Sequence, residues 1–304
     1  MFRNNRDTKV FEEMYLLEPS SPRILGPLTL ICLITLIFII FPQSTFAFHA
    51  EVLPRKIAPG DVFLIKVSGI RTSRGLKASL RGKKFSFSRY GRGSFVAIGA
   101  ADIETKPGVH VIKLKVGTNK VKLKLWVRKG SFPEQELTLP EDKVFLKPED
   151  LERVKKENEK LDNIFDTITK KLWEGGFIVP LNNGITTVFG TKRIMNGKWI
   201  SMHRGIDMKG DSGEEVRAAN DGRVVLEDGL FFGGNTIIID HGQGIYTVYM
   251  HLSAFNVSSG DVVSKGDIIG FVGSSGRATG PHLHFGAKVL EMSVNPVSLF
   301  NLKL

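Results

Sequence analysis

The stretch GPHLHFG, residues 280–286, sets two histidines one residue apart in a short apolar frame. Side chains alternate across a strand, so His282 and His284 would share one face, their bases roughly 7 Å apart. Upstream, HRGID (203–207) places His203 four residues before Asp207, with Gly205 between them. On a helix that spacing would align the two side chains, but the glycine and the surrounding turn residues favour a loop entering a strand. YMHL (249–252) brings His251 to the end of an aromatic-rich strand. Two imidazoles and one carboxylate, with a fourth position left open, suit a catalytic zinc ion. Such a metal polarises a carbonyl and acidifies water, and further histidines can then accept and donate the proton. Taken singly each motif is weak. Their strength is that five of the seven histidines fall in one glycine-rich segment. His241, in IDHGQG, sits at a strand-to-turn junction and reads better as a structural hydrogen-bonding residue; His49 and His110 have no supporting pattern.

The elements that must position these groups read as mainly β. From about 177 to 300, short β-like runs are divided by glycine (GRVVLED, NTIIIDHG, IYTVYMHL, DIIGFVG, PHLHFGAKV), with no nucleotide-binding glycine fingerprint. Antiparallel pairing is expected there. Residues 147–176 read as one helix: Pro148 fits its first turn, Glu149 and Asp150 lie near its positive end, and Gly175 and Gly176 stop it. Its stripe from Leu151 to Leu172 suits a connecting helix packed on a domain better than a three-heptad coiled coil. Residues 48–129 read as short strands of a small antiparallel sandwich. In the clearest piece, Ile112, Leu114 and Val116 alternate with Lys113 and Lys115, then Val121, Leu123 and Leu125 alternate with Lys122 and Lys124. That is a hairpin with one apolar and one lysine face.

Charge divides the 304-residue chain as sharply as pattern does. Residues 48–129 hold 19 Lys and Arg against Glu51, Asp61, Asp102 and Glu104, a net +15, while the whole chain carries +11. The lysine face reads either as a solvated, pairing-resistant surface or as an attraction to an anionic envelope polymer or membrane surface. Nucleic acid is a poor candidate for a module on the export side. Export is indicated by ILGPLTLICLITLIFIIF (24–41), which contains no charge and is long enough to cross most of a bilayer as a helix. STFA (44–47) offers a cleavage site after Ala47, so the stretch is expected to be a signal peptide or a retained anchor, and either would place the remainder outside the cytoplasm. The single cysteine, Cys32, lies inside it, which excludes disulfides and a thiolate-held zinc in the rest of the chain.

From FGTKR through HRGID, IIIDHGQGIYTVYMHL and VSKGDIIGFVGSSGRATGPHLHFG to NP, residues 189–296, the chain resembles the lysostaphin/LytM-type zinc endopeptidases. The resemblance implies one zinc per chain held by His203, Asp207 and His284, with His251 and His282 as the catalytic pair. It implies peptide cross-links or stem peptides of peptidoglycan as substrate. The preceding basic module is similar to Ig-like domains found before such peptidases, on less specific motifs such as APGDVF (58–63). The expected organisation is therefore a tail and signal or anchor over 1–47, a basic Ig-like sandwich over 48–129, a linker and helix over 130–176, and the peptidase over 177–304. Two other classes compete: a non-catalytic envelope regulator that activates a cell-wall hydrolase, and a biotinyl- or lipoyl-type carrier. The first is disfavoured because all five site positions are present. The second lacks a lysine flanked by methionines at a hairpin tip. The segment RIMNGKWISM (193–202) is long enough to reach a site beginning at His203, and a latent groove or a regulatory envelope partner is compatible with it.

Overall fold

Alternating apolar and lysine residues predict a hairpin over 109–129. The computed structural model, which describes residues 48–138 and 146–304, contains it. Nine strands build this region: β1 (His49–Leu53), β2 (Lys56–Ile57), β3 (Val62–Ser68), β4 (Leu76–Leu80), β5 (Lys83–Phe85), β6 (Ser88–Arg89), β7 (Ser94–Ala100), β8 (Gly108–Val116) and β9 (Asn119–Val127). They form two sheets, ordered β1-β3-β7-β6 and β2-β9-β8-β4-β5. Strands β8 and β9 pair antiparallel in the register Ile112↔Leu123, Lys113↔Lys122 and Leu114↔Val121. Period-two alternation then sends Ile112, Leu114 and Leu125 into the core. The lysines between them point outward and are exposed. Phe63 and Phe85, from opposite sheets, close that core edge-on, with centroids 5.8 Å apart. The uncharged stretch 24–41, its candidate cleavage site and Cys32 lie outside the described residues. Among those described, no helix is long and apolar enough to cross a membrane.

The chain then enters β10 (Glu134–Leu137) and α1 (Pro148–Phe165), followed by β11 (Ile185–Thr187), β12 (Lys192–Met195), β13 (Trp199–Met202), β14 (Ile206–Lys209), β15 (Glu215–Arg217) and β16 (Gly222–Leu230). Strands β17 (Gly234–Gly242), β18 (Ile245–Phe255), β19 (Val262–Val263), β20 (Ile268–Val272), β21 (His282–Val289) and β22 (Met292–Val294) lead to a closing α2 (Pro296–Phe300). The main sheet runs β11-β14-β21-β18-β17-β16-β19, with β15, β20 and β22 attached beside it. All of its pairings are antiparallel, as the glycine-divided runs suggest. A separate three-stranded sheet, β10-β12-β13, joins the linker strand in parallel to a hairpin just before His203.

The helix is shorter than its sequence predicts. It stops at Phe165, and residues 166–176 run irregularly over the β17–β18 turn. The reason is tertiary. Leu172 and Trp173 donate their backbone N–H groups to the His241 carbonyl, and the Gln243 N–H reaches the Thr169 carbonyl. Thr169 Oγ1 donates to Asp240 Oδ2 at 2.7 Å. The β-branched run Thr167–Ile168–Thr169 offers little helical resistance to this docking. The predicted stripe accordingly splits. Leu161, Ile164 and Phe165 pack against Leu226, Leu230, Tyr246 and Val248, whereas Leu151, Ile168 and Leu172 stay exposed. Phe165 meets Tyr246 edge-on at 5.4 Å, and burying such a ring contributes roughly 1.5–3 kcal/mol.

Sandwich and main sheet meet directly. The Asn295 N–H donates to the Gly60 carbonyl at 2.7 Å, Asn295 Nδ2 donates to Asp61 Oδ1 at 3.0 Å, and the Val62 N–H donates to Ser298 Oγ at 3.0 Å. Gly60, at φ +86°, leaves the space that the Phe189 ring fills. The described residues from 48 onward accordingly form one compact unit with a shared core.

Candidate metal centre and active site

Asp207 on β14 and His284 on β21 are cross-strand partners, and Lys209 faces His282 two residues on. Directly opposed residues on one face bring their side chains together, and the fold uses this to assemble the site. His203 comes in from the short connection between β13 and β14. Its Nδ1–H donates to the Val188 carbonyl at 3.1 Å, which leaves Nε2 as the lone-pair nitrogen. That Nε2 lies 2.9 Å from Asp207 Oδ1 and 2.9 Å from His284 Nδ1, and His284 Nδ1 lies 2.8 Å from the same carboxylate oxygen. Three electron-pair donors thus converge on one point, in a buried setting where His203 and Asp207 are 3% and 6% exposed. The arrangement is stable only with positive charge at that point, and a two-nitrogen, one-oxygen set fits zinc.

The electrostatics point the same way. Burial alone would raise the Asp207 carboxyl; with no cation bound, protonated His203 and His284 rings, through hydrogen bonds and charge, hold it well below the usual carboxylate range, the part that a metal ion would take over once both nitrogens turn their lone pairs to it. Burial lowers the His284 imidazole against the opposing pull of Asp207, so a neutral, ligating ring is favoured. Arg193, on β12, pairs through its Nη2 with Asp207 Oδ2, the oxygen that faces away from the histidines. Each oxygen of the carboxylate therefore has its own partner, as supporting hydrogen bonds do for metal-ligating carboxylates.

The remaining two histidines face each other beside this cluster. The His251 and His282 rings are 4.9 Å apart, and His251 is 6.1 Å from the His284 ring. The Nδ1–H groups of His251 and His282 donate to the carbonyls of Ser275 and Gly280, each at 2.9 Å, so both Nε2 atoms carry lone pairs. His282 Nε2 lies 3.8 Å from Asp207 Oδ1. His251 is not at the end of its strand but inside β18, where the register against β17 shifts between Asn235↔Leu252 and Ile237↔Tyr249. This bulge puts His251 in the left-handed region, at φ +66°, and re-aims its ring into the site. Burial pushes its imidazole down to about 4, aided by its neighbours His282 and His284.

All five predicted site residues therefore meet. His251, His282 and Asp207 line a cleft of about 330 Å³ together with Arg193, Lys209 and Arg277. These three cations were not singled out from the sequence, although Arg193 lies in FGTKR and Arg277 in VSKGDIIGFVGSSGRATGPHLHFG. The segment 193–202 does reach the site, as the β12–β13 hairpin that delivers Arg193 to Asp207, with Met195 and Ser201 on the cleft wall. His241 is structural, as expected. It is fully buried, with Nδ1–H donating to the Asp221 carbonyl and Nε2 accepting from Thr247 Oγ1, both at 2.7 Å.

Comparison with known proteins agrees with this geometry. The sequence model of peptidase family M23 matches residues 201–296. The DD-carboxypeptidase/endopeptidase Mpg of Neisseria meningitidis is 42% identical over 128 residues, covering 41% of this chain and 30% of the relative. Lysostaphin of Staphylococcus simulans is 43% identical over 95 residues, covering 30% of this chain and 19% of the relative. The chain thus spans less than a third of the length of these curated relatives. A crystal structure of a candidate M23 peptidase from Pseudomonas aeruginosa superposes with a TM-score of 0.62 at 25% identity, covering 80% of this chain and 94% of that one. The His203–Asp207–His284 cluster, the paired histidines and the strands that carry them all lie within the matched segment or at its edge, and residues 201–296 of this chain match the peptidase family M23 domain.

Proposed function

We propose that the protein is a zinc-dependent endopeptidase that hydrolyses peptide bonds in the stem peptides or cross-links of peptidoglycan. The observation that carries the reading is the convergence of His203 Nε2, Asp207 Oδ1 and His284 Nδ1 beside two histidines with free Nε2 atoms. His203, Asp207 and His284 would hold one zinc ion. When bound, zinc supplies polarisation of the scissile carbonyl and acidifies water enough to give hydroxide near neutral pH. His251 and His282 move the protons. Their Nε2 atoms accept from the attacking water and return a proton to the leaving amine, and the protonated ring stabilises the oxyanion. Their backbone-bonded Nδ1–H groups fix the tautomer that this requires. With the Arg193 charge taken up by Asp207, Lys209 and Arg277 leave the cleft cationic, which suits peptides bearing free carboxylates. The names of the relatives, DD-endopeptidase and glycyl-glycine endopeptidase, support peptide cross-links as the substrate class.

We place this activity on the periplasmic side of the envelope. The support is residues 24–41, as a retained anchor or a signal released near Ala47, together with the wall substrate of the relatives. The test is metal content and wall digestion, measured together on the chain and on its His284→Ala variant. Purified peptidoglycan is digested and the released peptides are read by mass spectrometry. One zinc per chain and new amino termini, both lost in the variant, are expected. Zinc without cleavage would overturn the enzymatic reading and leave a wall-binding regulator.

A further inference from the structure

The five-stranded sheet of the sandwich carries a surface that the peptidase reading does not use. Strands β2, β4, β5, β8 and β9 contain no Asp or Glu. Their outward face is built from like-charged neighbours: Lys113 opposes Lys122, Lys115 opposes Lys120, and Lys115 also opposes Lys77 across β4. Ser79 stands between Lys113 and Lys84, which extends the array to β5. Lys124 and Lys56 continue it on the other side, giving eight exposed lysines on one face. Among the described residues none of the eight is in an ion pair. Strand neighbours lie roughly 5–7 Å apart, inside the roughly 8 Å screening length of physiological salt, so these lysines repel one another. Like charges directly opposed in a sheet are destabilising, and the fold holds at least three such pairs side by side.

A second feature sits on the same face. Trp126 is paired with Val109 and flanked by Lys56, and Val111 lies opposite Lys124. Trp126, Val109 and Val111 are 53%, 44% and 41% exposed, a small apolar margin beside the lysines. A planar cationic array edged by an exposed indole matches the layered chemistry of a lipid headgroup region, where amphipathic rings and basic side chains concentrate. The face is a sheet surface five strands wide, broad enough to lie flat on a bilayer. The tether also fits. Only seven residues separate the uncharged stretch 24–41 from β1, so a retained anchor would keep His49, where the sandwich begins, within about 25 Å of the bilayer.

We infer that this lysine face docks flat on an anionic phospholipid bilayer, with Trp126 entering the headgroup layer. The inference is independent of hydrolysis, because the face and the metal cluster share no residue. The test uses residues 47–304, the compact unit, so that the uncharged stretch cannot insert by itself. The protein is sedimented with phosphatidylcholine vesicles, with or without phosphatidylglycerol, across a salt series. Binding to the anionic vesicles alone is expected, falling steeply with salt, with a blue-shifted Trp emission that Trp126→Phe removes. Each lysine in contact contributes about five-fold to partitioning, so Lys113→Gln, Lys122→Gln and Lys124→Gln together should lower it about 100-fold. These substitutions are exposed, and unchanged thermal melting and zinc content would show that the fold is intact. Binding that survives the triple substitution overturns the inference. So does binding to soluble dextran sulfate without binding to vesicles, which would assign the face to an anionic polymer. Absence of binding to either would leave the lysines as a solvated, pairing-resistant surface and equally overturn it.

Discussion

Gly205, between His203 and Asp207, offers the sharpest test of how the metal cluster is built. A Cβ placed on it would fall 2.5 Å from the Phe285 carbonyl oxygen, 2.7 Å from His284 Nε2 and 2.8 Å from His284 Cε1. Ordinary carbon contacts begin near 3.4 Å, so in Gly205→Ala the imidazole must retreat by about 0.7 Å and the Phe285 carbonyl by about 0.9 Å, or the backbone at 205 must shift by as much. The ring edge that the methyl strikes belongs to the side chain whose Nδ1 sits 2.8 Å from Asp207 Oδ1. Metal–ligand distances tolerate only about 0.2 Å, so the displacement carries His284 out of coordination range unless the backbone gives way. The expected result is a loss of about 10- to 100-fold in zinc affinity, the range seen when ligand orientation is disturbed. Overpacking should also cost about 1–3 kcal/mol of stability. Zinc affinity is measured by chelator competition and stability by urea unfolding, with and without zinc. The control is Gly286→Ala on the same strand as His284, whose Cβ would meet Val248 at an ordinary 3.5 Å and should leave both quantities near wild type. Unchanged zinc affinity in Gly205→Ala would refute the idea that this glycine makes room for the ligand behind it.

The other predictions probe neighbouring groups. His251→Ala and His282→Ala should each lower turnover on peptidoglycan by about 10²–10⁴-fold while retaining one zinc per chain. Loss of zinc in either would move that residue into the ligand set. Arg193→Met removes the partner of a buried carboxylate, so unfolding in chelator at neutral pH should show about 2–3 kcal/mol less stability. The deficit should shrink when zinc supplies the positive charge, and an equal deficit in both conditions would count against that role. Burial lowers His241 to about 4 from an ordinary 6.5, so between those values the unfolded chain binds the extra proton. Stability from this residue is therefore full above pH 6.5 and lost as pH falls towards 4, by roughly 3 kcal/mol. His241→Gln should be less stable at neutral pH but flatter across that window. An unchanged acid slope would show that other groups carry it.

The sequence made the site more legible than the scaffold around it. His282 and His284 could be placed on one face because strand alternation is strictly local. Asp207 and His203 were recognisable by motif, but no local rule says that Asp207 would lie opposite His284. That register belongs to the sheet. His251 shows the limit more clearly, since its bulge depends on a register shift with β17 that no single strand encodes. The α1 boundary failed for a related reason. Helical spacing continues through Leu172, but the carbonyl of His241, about seventy residues away, captures the backbone of Leu172 and Trp173. Arg193 was visible only as part of a segment that could reach the site. Whether its guanidinium would approach a carboxylate depended on the β12–β13 hairpin, whose parallel partner β10 comes from the linker.

That parallel pairing bears on where the chain can be cut. A fragment starting at residue 177 would retain every metal ligand and both paired histidines, yet it would lose β10. The hydrogen-bonding edge of Lys192–Met195, now covered by Glu134–Leu137, would be bare, and bare edges recruit other strands. Phe132, whose ring fills the space beside Gly190, would be missing as well. Such a fragment should self-associate through the hairpin that steadies Asp207, and its measured rates would then describe a damaged enzyme. The smallest faithful catalytic fragment begins upstream of Phe132, among residues that a boundary drawn by composition would discard as spacer.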